Sequence, residues 1–295
     1  MGDTGLEHAR LETAGAAALF VTIGCVVMYT QSLSERPERC RLCGSSEDLS
    51  FEHVPPRSAF NGERAEMLGL DAWLEREKGS SRRGTIMQRG SGVRTLCRRC
   101  NSRAGRLYVP ELAKWTRVGR SALSDNSAAV KDAEASREPM GIRLVIKRVY
   151  PGRFVKQVVT MLLAIAPLNL IEAHPGLATY AREPDVARLP SGVTLYLNLF
   201  LGPLARFIGT AAVMREQDHA TYVVTELAYP PFAYAMVFGE PEETPALAGC
   251  DITGYAREPI DRLANVEMLM QCGFGHTPFP LDYRSDAAIL ADRAS

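Results

Sequence analysis

Three short segments decide the fold of the first part of the chain: CRLCG at residues 40–44, EHVPP at 52–56 and LCRRCN at 96–101. The first and the last each contain a C-x-x-C pair, and two such pairs supply the four thiolates that complete a tetrahedral zinc ion. The predicted ligands are Cys40, Cys43, Cys97 and Cys100. Because four cysteines leave no open coordination position, the pattern predicts a structural Zn2+ that stabilises the fold without taking part in chemistry.

The other three cysteines, Cys25, Cys250 and Cys272, lie singly along the chain. Paired cysteines with an odd remainder are typical of a zinc protein in a reducing compartment, and they do not suit a disulfide framework. We therefore expect a cytoplasmic protein that binds zinc through its paired cysteines.

Glu52 and His53 lie between the two cysteine pairs, and Asn101 follows the last cysteine directly. With these residues, the segment from about residue 38 to about residue 108 resembles the HNH endonuclease superfamily. The pattern is closest to the zinc-containing members such as phage recombination and junction-resolving endonucleases. The resemblance implies a bacterial nuclease with a treble-clef-like ββα-metal module. It also implies that Glu52 and Asn101 bind a catalytic Mg2+ or Mn2+ and that His53 is the general base.

These residue types suit the hydrolysis of a phosphodiester. A hard divalent cation prefers oxygen ligands such as a carboxylate and an amide carbonyl, and an imidazole can take a proton from an attacking water near neutral pH. The sequence departs from the family pattern at its middle asparagine, because residues 89–95 (RGSGVRT) contain none and Asn61 lies well upstream. In the family, that middle residue often orients the base or the hairpin.

The chain has no net charge, but its basic residues are concentrated around the second cysteine pair. Between Lys78 and Arg120 there are 12 lysines and arginines and a single acid, Glu111. Such a concentration is typical of a surface that binds phosphates. The partner that this charge predicts is a nucleic acid, and we expect DNA. The arginines expected to contact it flank the second cysteine pair: Arg98, Arg99, Arg103 and Arg106.

The amino terminus is apolar. Residues 13–34 carry no charge, and residues 14–29 approach the length of a membrane span. No convincing basic region precedes them and no clear small-residue cleavage site follows them, which argues against a secretory signal. Three interpretations stay open: a membrane anchor that leaves the nuclease domain in the cytoplasm, a core helix, or an appended segment upstream of a true start at Met28. We favour the last.

Changes in composition divide the chain into four parts. The predicted parts are an apolar extension over 1–33, a zinc nuclease domain over 34–120, a polar Ala/Ser-rich linker over 121–140 and a second domain of unknown role over 141–295. Within the nuclease domain, the spacing of Met67, Leu70 and Leu74 predicts a helix over residues 63–77.

The second domain combines one helical pattern with several strand patterns. Residues 152–166 are predicted to form an amphipathic helix. Segments rich in β-branched and aromatic residues, with Gly, Pro and Asp between them, predict strands over 192–201, 206–214, 220–228 and 232–238. The fold class that follows is α+β: the zinc module, then a mixed α+β domain with an antiparallel sheet.

Three functions from different classes fit the sequence. The first is a metal-dependent endonuclease that hydrolyses DNA, in a bacterial defence system or a mobile element. The second is a zinc-stabilised nucleic-acid-binding protein without catalysis, and the third is a membrane-anchored zinc scaffold. His53 and Asn101 favour the first over the second, because a protein that only binds nucleic acid needs neither residue.

Overall fold

The computed structural model describes residues 25–30, 39–79, 81, 83–214, 221–239 and 249–294. This part of the chain has a mixed α+β fold with one large sheet and one two-stranded sheet. The strands are β1 (Cys25–Tyr29), β2 (Leu49–His53), β3 (Ala65–Gly69), β4 (Thr85–Met87), β5 (Gly92–Cys97), β6 (Gly141–Val149), β7 (Val193–Phe200), β8 (Leu204–Met214), β9 (Thr221–Tyr229), β10 (Phe232–Phe238), β11 (Cys250–Asp251) and β12 (Ala264–Gly273).

Helices cover the large sheet and connect it to the two-stranded sheet. The helices are α1 (Leu70–Glu77), α2 (Arg98–Leu107), α3 (Val109–Asp125), α4 (Ser127–Ala135), α5 (Pro151–Ile165), α6 (Leu168–Ala173), α7 (Pro175–Arg182) and α8 (Asp286–Ala294). Two single 3-10 turns occur at Arg57–Ala59 and Thr253–Arg257.

The large sheet is mixed, with mostly antiparallel pairs. Its strand order is β4-β3-β1-β8-β9-β10-β7-β12-β6, and β11 pairs with β7. The parallel pairs are β1 with β3, β1 with β8, and β12 with β7. The four strands predicted between residues 192 and 238 are β7 to β10, so that part of the prediction is confirmed. The predicted antiparallel sheet is confirmed for most pairs, and the three parallel pairs make the sheet mixed.

Strand β1 joins the two predicted domains into one sheet, because it lies between β3 of the first and β8 of the second. Val27 and Met28 are completely buried in it. Residues 25–29 therefore form a core strand of this sheet, and a start at Met28 would remove the first three residues of the strand. The rest of the predicted membrane segment, residues 14–24, lies outside the described residues.

Two secondary-structure predictions need correction. The predicted helix over 63–77 is a strand, β3, followed by α1, because Ala65, Met67 and Leu68 are buried where β3 pairs with β1. The predicted linker over 121–140 is largely helical. Helix α3 continues to Asp125, and α4 follows with Val130 and Ala133 buried. Alanine-rich polar sequence has high helix propensity, and burying even one face is enough to fix it as a helix.

The core centres on α5. The helix predicted over 152–166 is confirmed in position, but it is buried along nearly its whole length and so is not the amphipathic helix that was expected. Phe154 of α5 stacks on Trp115 of α3 with ring centroids 3.8 Å apart. The ammonium group of Lys156 donates hydrogen bonds to three carbonyls at the end of α7 and beyond: those of Tyr180, Glu183 and Val186, at 2.6, 2.8 and 2.8 Å. Helix α5 thus connects α3, which follows the cysteine cluster, to the second half of the chain.

Candidate functional site

The predicted site residues are carried by the two-stranded sheet and the helix after it. Strands β2 and β5 are antiparallel, with Leu49 opposite Cys97 and His53 opposite Gly92. Helix α2 begins at Arg98, directly after β5 ends, so the second cysteine pair spans the strand–helix junction. The first pair lies next to it, since the Arg41 amide donates to the Thr95 carbonyl at 2.9 Å.

The four predicted zinc ligands are brought together. The sulfur atoms of Cys40, Cys43, Cys97 and Cys100 all lie within 4.8 Å of one another, and the Cys43 and Cys97 sulfurs are 3.7 Å apart. Zn–S bonds of about 2.3 Å in a tetrahedron place sulfurs roughly 3.8 Å apart. The cluster therefore has the ligand type, number and spacing to bind one zinc ion.

The backbone around Cys40 and Cys43 favours metal binding. The Gly44 amide donates to the Cys40 carbonyl at 2.9 Å, and Gly44 has a φ of 75°, which a residue with a side chain adopts at a cost. A hydrogen bond from the Cys100 thiol lowers the pKa of Cys40 well below its usual value and correspondingly raises the pKa of Cys100. Of the four thiols, Cys40 is therefore the one whose surroundings favour the thiolate, which is the form that binds zinc.

His53 is held at the end of β2 by a carbonyl. Its Nε2 lies 2.8 Å from the Arg89 carbonyl oxygen, and its ring meets the edge of the Phe51 ring at a centroid distance of 5.1 Å. Because a carbonyl only accepts, Nε2 must carry the hydrogen. In the neutral ring, Nδ1 then keeps its lone pair and can accept a proton.

Asn61 fixes the loops on both sides of His53. Its amide nitrogen donates to the carbonyls of Pro55 and Ser91 at 2.6 and 2.7 Å, and its carbonyl oxygen accepts from the Ser91 amide at 2.8 Å. Asn61 is completely buried. The sequence pattern gave Asn61 no role, because it lies well upstream of the second cysteine pair. The fold nevertheless brings it to the end of the β2–β5 strand pair. The signal that could have identified it is Gly90–Ser91–Gly92, because small residues let another backbone approach closely.

Glu52 points into the interior. It is 7% exposed, and it accepts a hydrogen bond from the Thr95 hydroxyl at 2.9 Å. Burial raises the pKa of Glu52 to about 8, the Thr95 hydroxyl opposes that rise, and the nearby Cys40 adds to it. The carboxyl therefore sits between the hairpin and the cysteine cluster.

Asn101 reaches the same strand from α2. Its amide nitrogen donates to the Ser50 hydroxyl at 3.2 Å and to the Phe51 carbonyl at 3.4 Å. Side chains alternate along a strand, so Ser50 and Glu52 share one face of β2 while Phe51 and His53 share the other. Asn101 and Glu52 thus approach the same face. Among the described contacts, none joins the Glu52 carboxyl to Asn101 or to His53.

The four predicted phosphate-binding arginines fall into two pairs. Arg98 is bound by Asp48, with a shortest separation of 3.0 Å, and Arg103 by Glu183 at 3.4 Å. Arg99 and Arg106 are exposed, and the described residues include no acidic partner for either. Arg103 therefore has a structural role that the sequence did not indicate, since Glu183 belongs to the second half of the chain.

The second half of the chain also contacts the segment that carries the first cysteine pair. Arg182 donates to the Leu42 carbonyl, between the two cysteines, at 3.4 Å, and to the Glu183 carboxylate at 2.7 Å. Glu183 in turn accepts from Arg103. The end of α7 thus contacts both halves of the cysteine cluster, which predicts that loss of the metal will loosen this helix as well.

The site residues resemble those of a known superfamily, but this resemblance does not extend to the whole sequence or the whole fold. Within the residues that the structure describes, no helix combines the length and apolarity needed to cross a bilayer. No protein-family model, no curated protein and no solved structure matches this chain. The function is therefore inferred from the residues and the geometry of the site.

Proposed function

We propose that this protein is a metal-dependent endonuclease of the HNH type that hydrolyses phosphodiester bonds in DNA. The observation that carries the proposal is the hydrogen bond between His53 Nε2 and the Arg89 carbonyl, at the end of the antiparallel β2–β5 pair that carries the second cysteine pair. The carbonyl fixes the tautomer of the ring and leaves Nδ1 available to accept a proton. Two strands, a following helix and a cysteine cluster are also the parts of a ββα-metal module.

In this proposal His53 is the general base. The Arg89 carbonyl holds the proton on Nε2, so Nδ1 accepts the proton of the water that attacks the phosphorus. The Phe51 ring packs against the imidazole and limits its rotation. Asn61 bonds to the carbonyls of Pro55 and Ser91, and so links the segment after His53 to the segment after Arg89.

By the family pattern, Glu52 and Asn101 are the residues that would hold the catalytic cation, because a carboxylate and an amide carbonyl are the donors that Mg2+ or Mn2+ prefers. Glu52 is buried on the face of β2 opposite His53, so it would have to turn outward to share a phosphate with His53. Such a cation supplies charge stabilisation to the scissile phosphate and the leaving oxygen. Glu52 must be ionised to take this role. Its burial favours the protonated form, whereas the hydroxyl of Thr95 favours the carboxylate.

A second candidate is a zinc-stabilised DNA-binding protein without catalysis. The burial of Glu52 favours it, because a carboxyl bonded to Thr95 in the interior also serves as a purely structural group. The two candidates make opposite predictions for His53, since binding alone does not require a general base.

Plasmid cleavage with Mg2+ or Mn2+ separates them. We expect the wild-type protein to cut, and His53→Ala to lose about 10²- to 10⁴-fold in rate, the typical contribution of a general base. His174→Ala is the matched control, because His174 packs on Phe238 and has no role in the proposed mechanism. Zinc content and circular dichroism should be unchanged in both variants. Equal cleavage by wild type and His53→Ala would remove His53 from the mechanism, and absence of cleavage by the wild type would favour the binding-only function.

A further inference from the structure

Helix α3 carries a line of basic residues on its outer side. Lys114, Arg117 and Arg120 follow one another at intervals of three, and the segment 112–124 contains no acid. Residues three apart on a helix are neighbours on one face. With a rise of about 1.5 Å per residue, the three side chains span about 9 Å of helix. We call these three residues the basic stripe.

The opposite side of α3 packs against the core, so the basic stripe faces away from the core. Leu112, Trp115 and Gly119 are buried, and an added Cβ at Gly119 would come within 2.5 Å of the Phe232 ring. Arg117 is exposed, and Lys114 is half-buried, with its ammonium group donating to the Arg148 carbonyl. The nearest acid along the helix, Asp125, accepts a hydrogen bond from Ser121 at 3.3 Å.

The basic stripe ends against the loop that leaves His53. Helix α3 packs on the 3-10 turn Arg57–Ala59, and the Arg120 guanidinium lies 4.3 Å above the centroid of the Phe60 ring. The next residue is Asn61, whose side chain binds Pro55 and Ser91 on the two sides of the hairpin end. One short segment therefore connects the basic stripe to the proposed general base.

Phe60 is held in an unusual conformation at this junction. Its φ is 65° and its side chain is 36% exposed, while its neighbours Ala59 and Asn61 are 1% and 0% exposed. A positive φ is strained for a bulky residue and persists only where the surroundings enforce it. Here the buried neighbours enforce it, and the result is an aromatic ring that supports Arg120. Arg57 is exposed in the same turn.

From this placement we infer that the basic stripe and Arg57 form a second DNA-contact surface, which binds the phosphate backbone of a duplex beside the cleavage site. The inference rests on the proposed nuclease function and adds residues to Arg99 and Arg106. Each strand of duplex DNA carries one negative charge per about 3.4 Å of the axis, so a stripe of about 9 Å can meet about two or three phosphates of one strand. Phosphate contacts position the duplex and read no bases.

The test uses the full chain with His53→Ala as the parent, so that DNA is bound without being cut. The probe is a labelled duplex of 30 base pairs, and its dissociation constant is measured at several salt concentrations. Arg57→Ala with Arg117→Ala removes two contacts. The salt slope should fall by about two, and affinity should fall roughly 10- to 100-fold at 0.1 M salt. The control is Arg143→Ala with Arg293→Ala, the same change in charge at exposed positions in β6 and α8.

A loss confined to the Arg57/Arg117 variant supports the inference. Affinity and salt slope equal to those of the parent overturn it, and so does an equal loss in both double variants, which would reflect net charge alone. Either of these two contrary results leaves the proposed nuclease function unaffected if the wild-type protein cuts the plasmid. Failure of the parent to bind any duplex, together with absence of cleavage by the wild type, overturns the proposed function and this inference together.

Discussion

Asn61 and Ser91 exchange three hydrogen bonds at the end of the antiparallel β2–β5 strand pair. The Asn61 amide donates to the Ser91 carbonyl at 2.7 Å, and the Asn61 carbonyl accepts from the Ser91 amide and hydroxyl at 2.8 and 3.1 Å. Both residues are completely buried. His53 and Arg89, which make the hydrogen bond proposed to set the imidazole, lie beside these contacts. Asn61 is therefore a positioning residue in the proposed mechanism.

Removal of Asn61 should affect the rate more than the binding of DNA. Asn61→Ala leaves buried carbonyls and an amide unpaired, which costs about 1–3 kcal/mol for each orphaned group. We expect a lower melting temperature, a reduced kcat and a nearly unchanged KM. The nuclear magnetic resonance signals of the His53 ring should also shift. A variant with normal kcat and an unmoved His53 signal would show that the bridge is not needed for positioning.

Gly90 should be intolerant of any side chain. It has a φ of 94°, and an added Cβ would lie 2.3 Å from the backbone carbonyl oxygen of Asn61. Gly90→Ala should therefore disturb the hairpin end and lower stability by more than 1 kcal/mol, about the scale of a backbone incompatibility. Gly105→Ala is the matched control, because open space surrounds that helical position and alanine should stabilise α2 by about 0.5–1 kcal/mol. Urea denaturation of both variants measures the difference, and equal stabilities would contradict the geometry.

The cysteine cluster should hold one zinc ion per chain. Cys97→Ser removes one of four thiolates, and since metal binding and folding are coupled, the variant should lose zinc and structure around the hairpin together. Cys250→Ser, a single cysteine outside the cluster, should keep its zinc. Elemental analysis of the purified proteins decides the point. A folded wild-type protein without zinc would rule out the metal site.

Strand β1 should be essential for stability. Val27 is completely buried between β3 and β8, so Val27→Asp places a charge in the core and should cost at least about 3 kcal/mol. Val223→Asp is the matched control, because Val223 of β9 is 38% exposed and tolerates a polar group. Thermal unfolding should separate the two variants by more than 5 °C. Equal melting temperatures would mean that the part of β1 before Met28, which a start at Met28 would remove, contributes little to stability.

Arg206 and Glu226 form an ion pair inside the second half of the chain, with a nitrogen–oxygen distance of 2.5 Å and no exposure of either side chain. Arg206 also donates to the carbonyls of Thr277 and Asp282, which anchors the chain before α8. Arg206→Met leaves the Glu226 carboxylate buried without its cation and should cost about 3–5 kcal/mol. Arg143→Ala, which breaks an exposed pair with Glu267, should cost less than about 1 kcal/mol. Similar losses on urea denaturation would contradict this assignment.

The sequence by itself determined the local features of this protein. Two C-x-x-C pairs with their following Gly44 and Asn101 were enough to predict the cluster, because ligand chemistry depends on residue type and short spacing. Strands β7 to β10 and helix α5 followed from hydrophobic patterns within each segment. These features depend on interactions between residues close in the chain.

Only the tertiary structure decided which distant segments meet. It placed residues 25–29 inside a sheet, turned residues 65–69 into its neighbouring strand and brought Asn61 to Ser91. It also paired Arg103 with Glu183 and directed Glu52 inward. No local pattern contains this information, because a buried apolar segment suits a helix or a strand equally well. Its neighbours in space decide which of the two satisfies the backbone and excludes water.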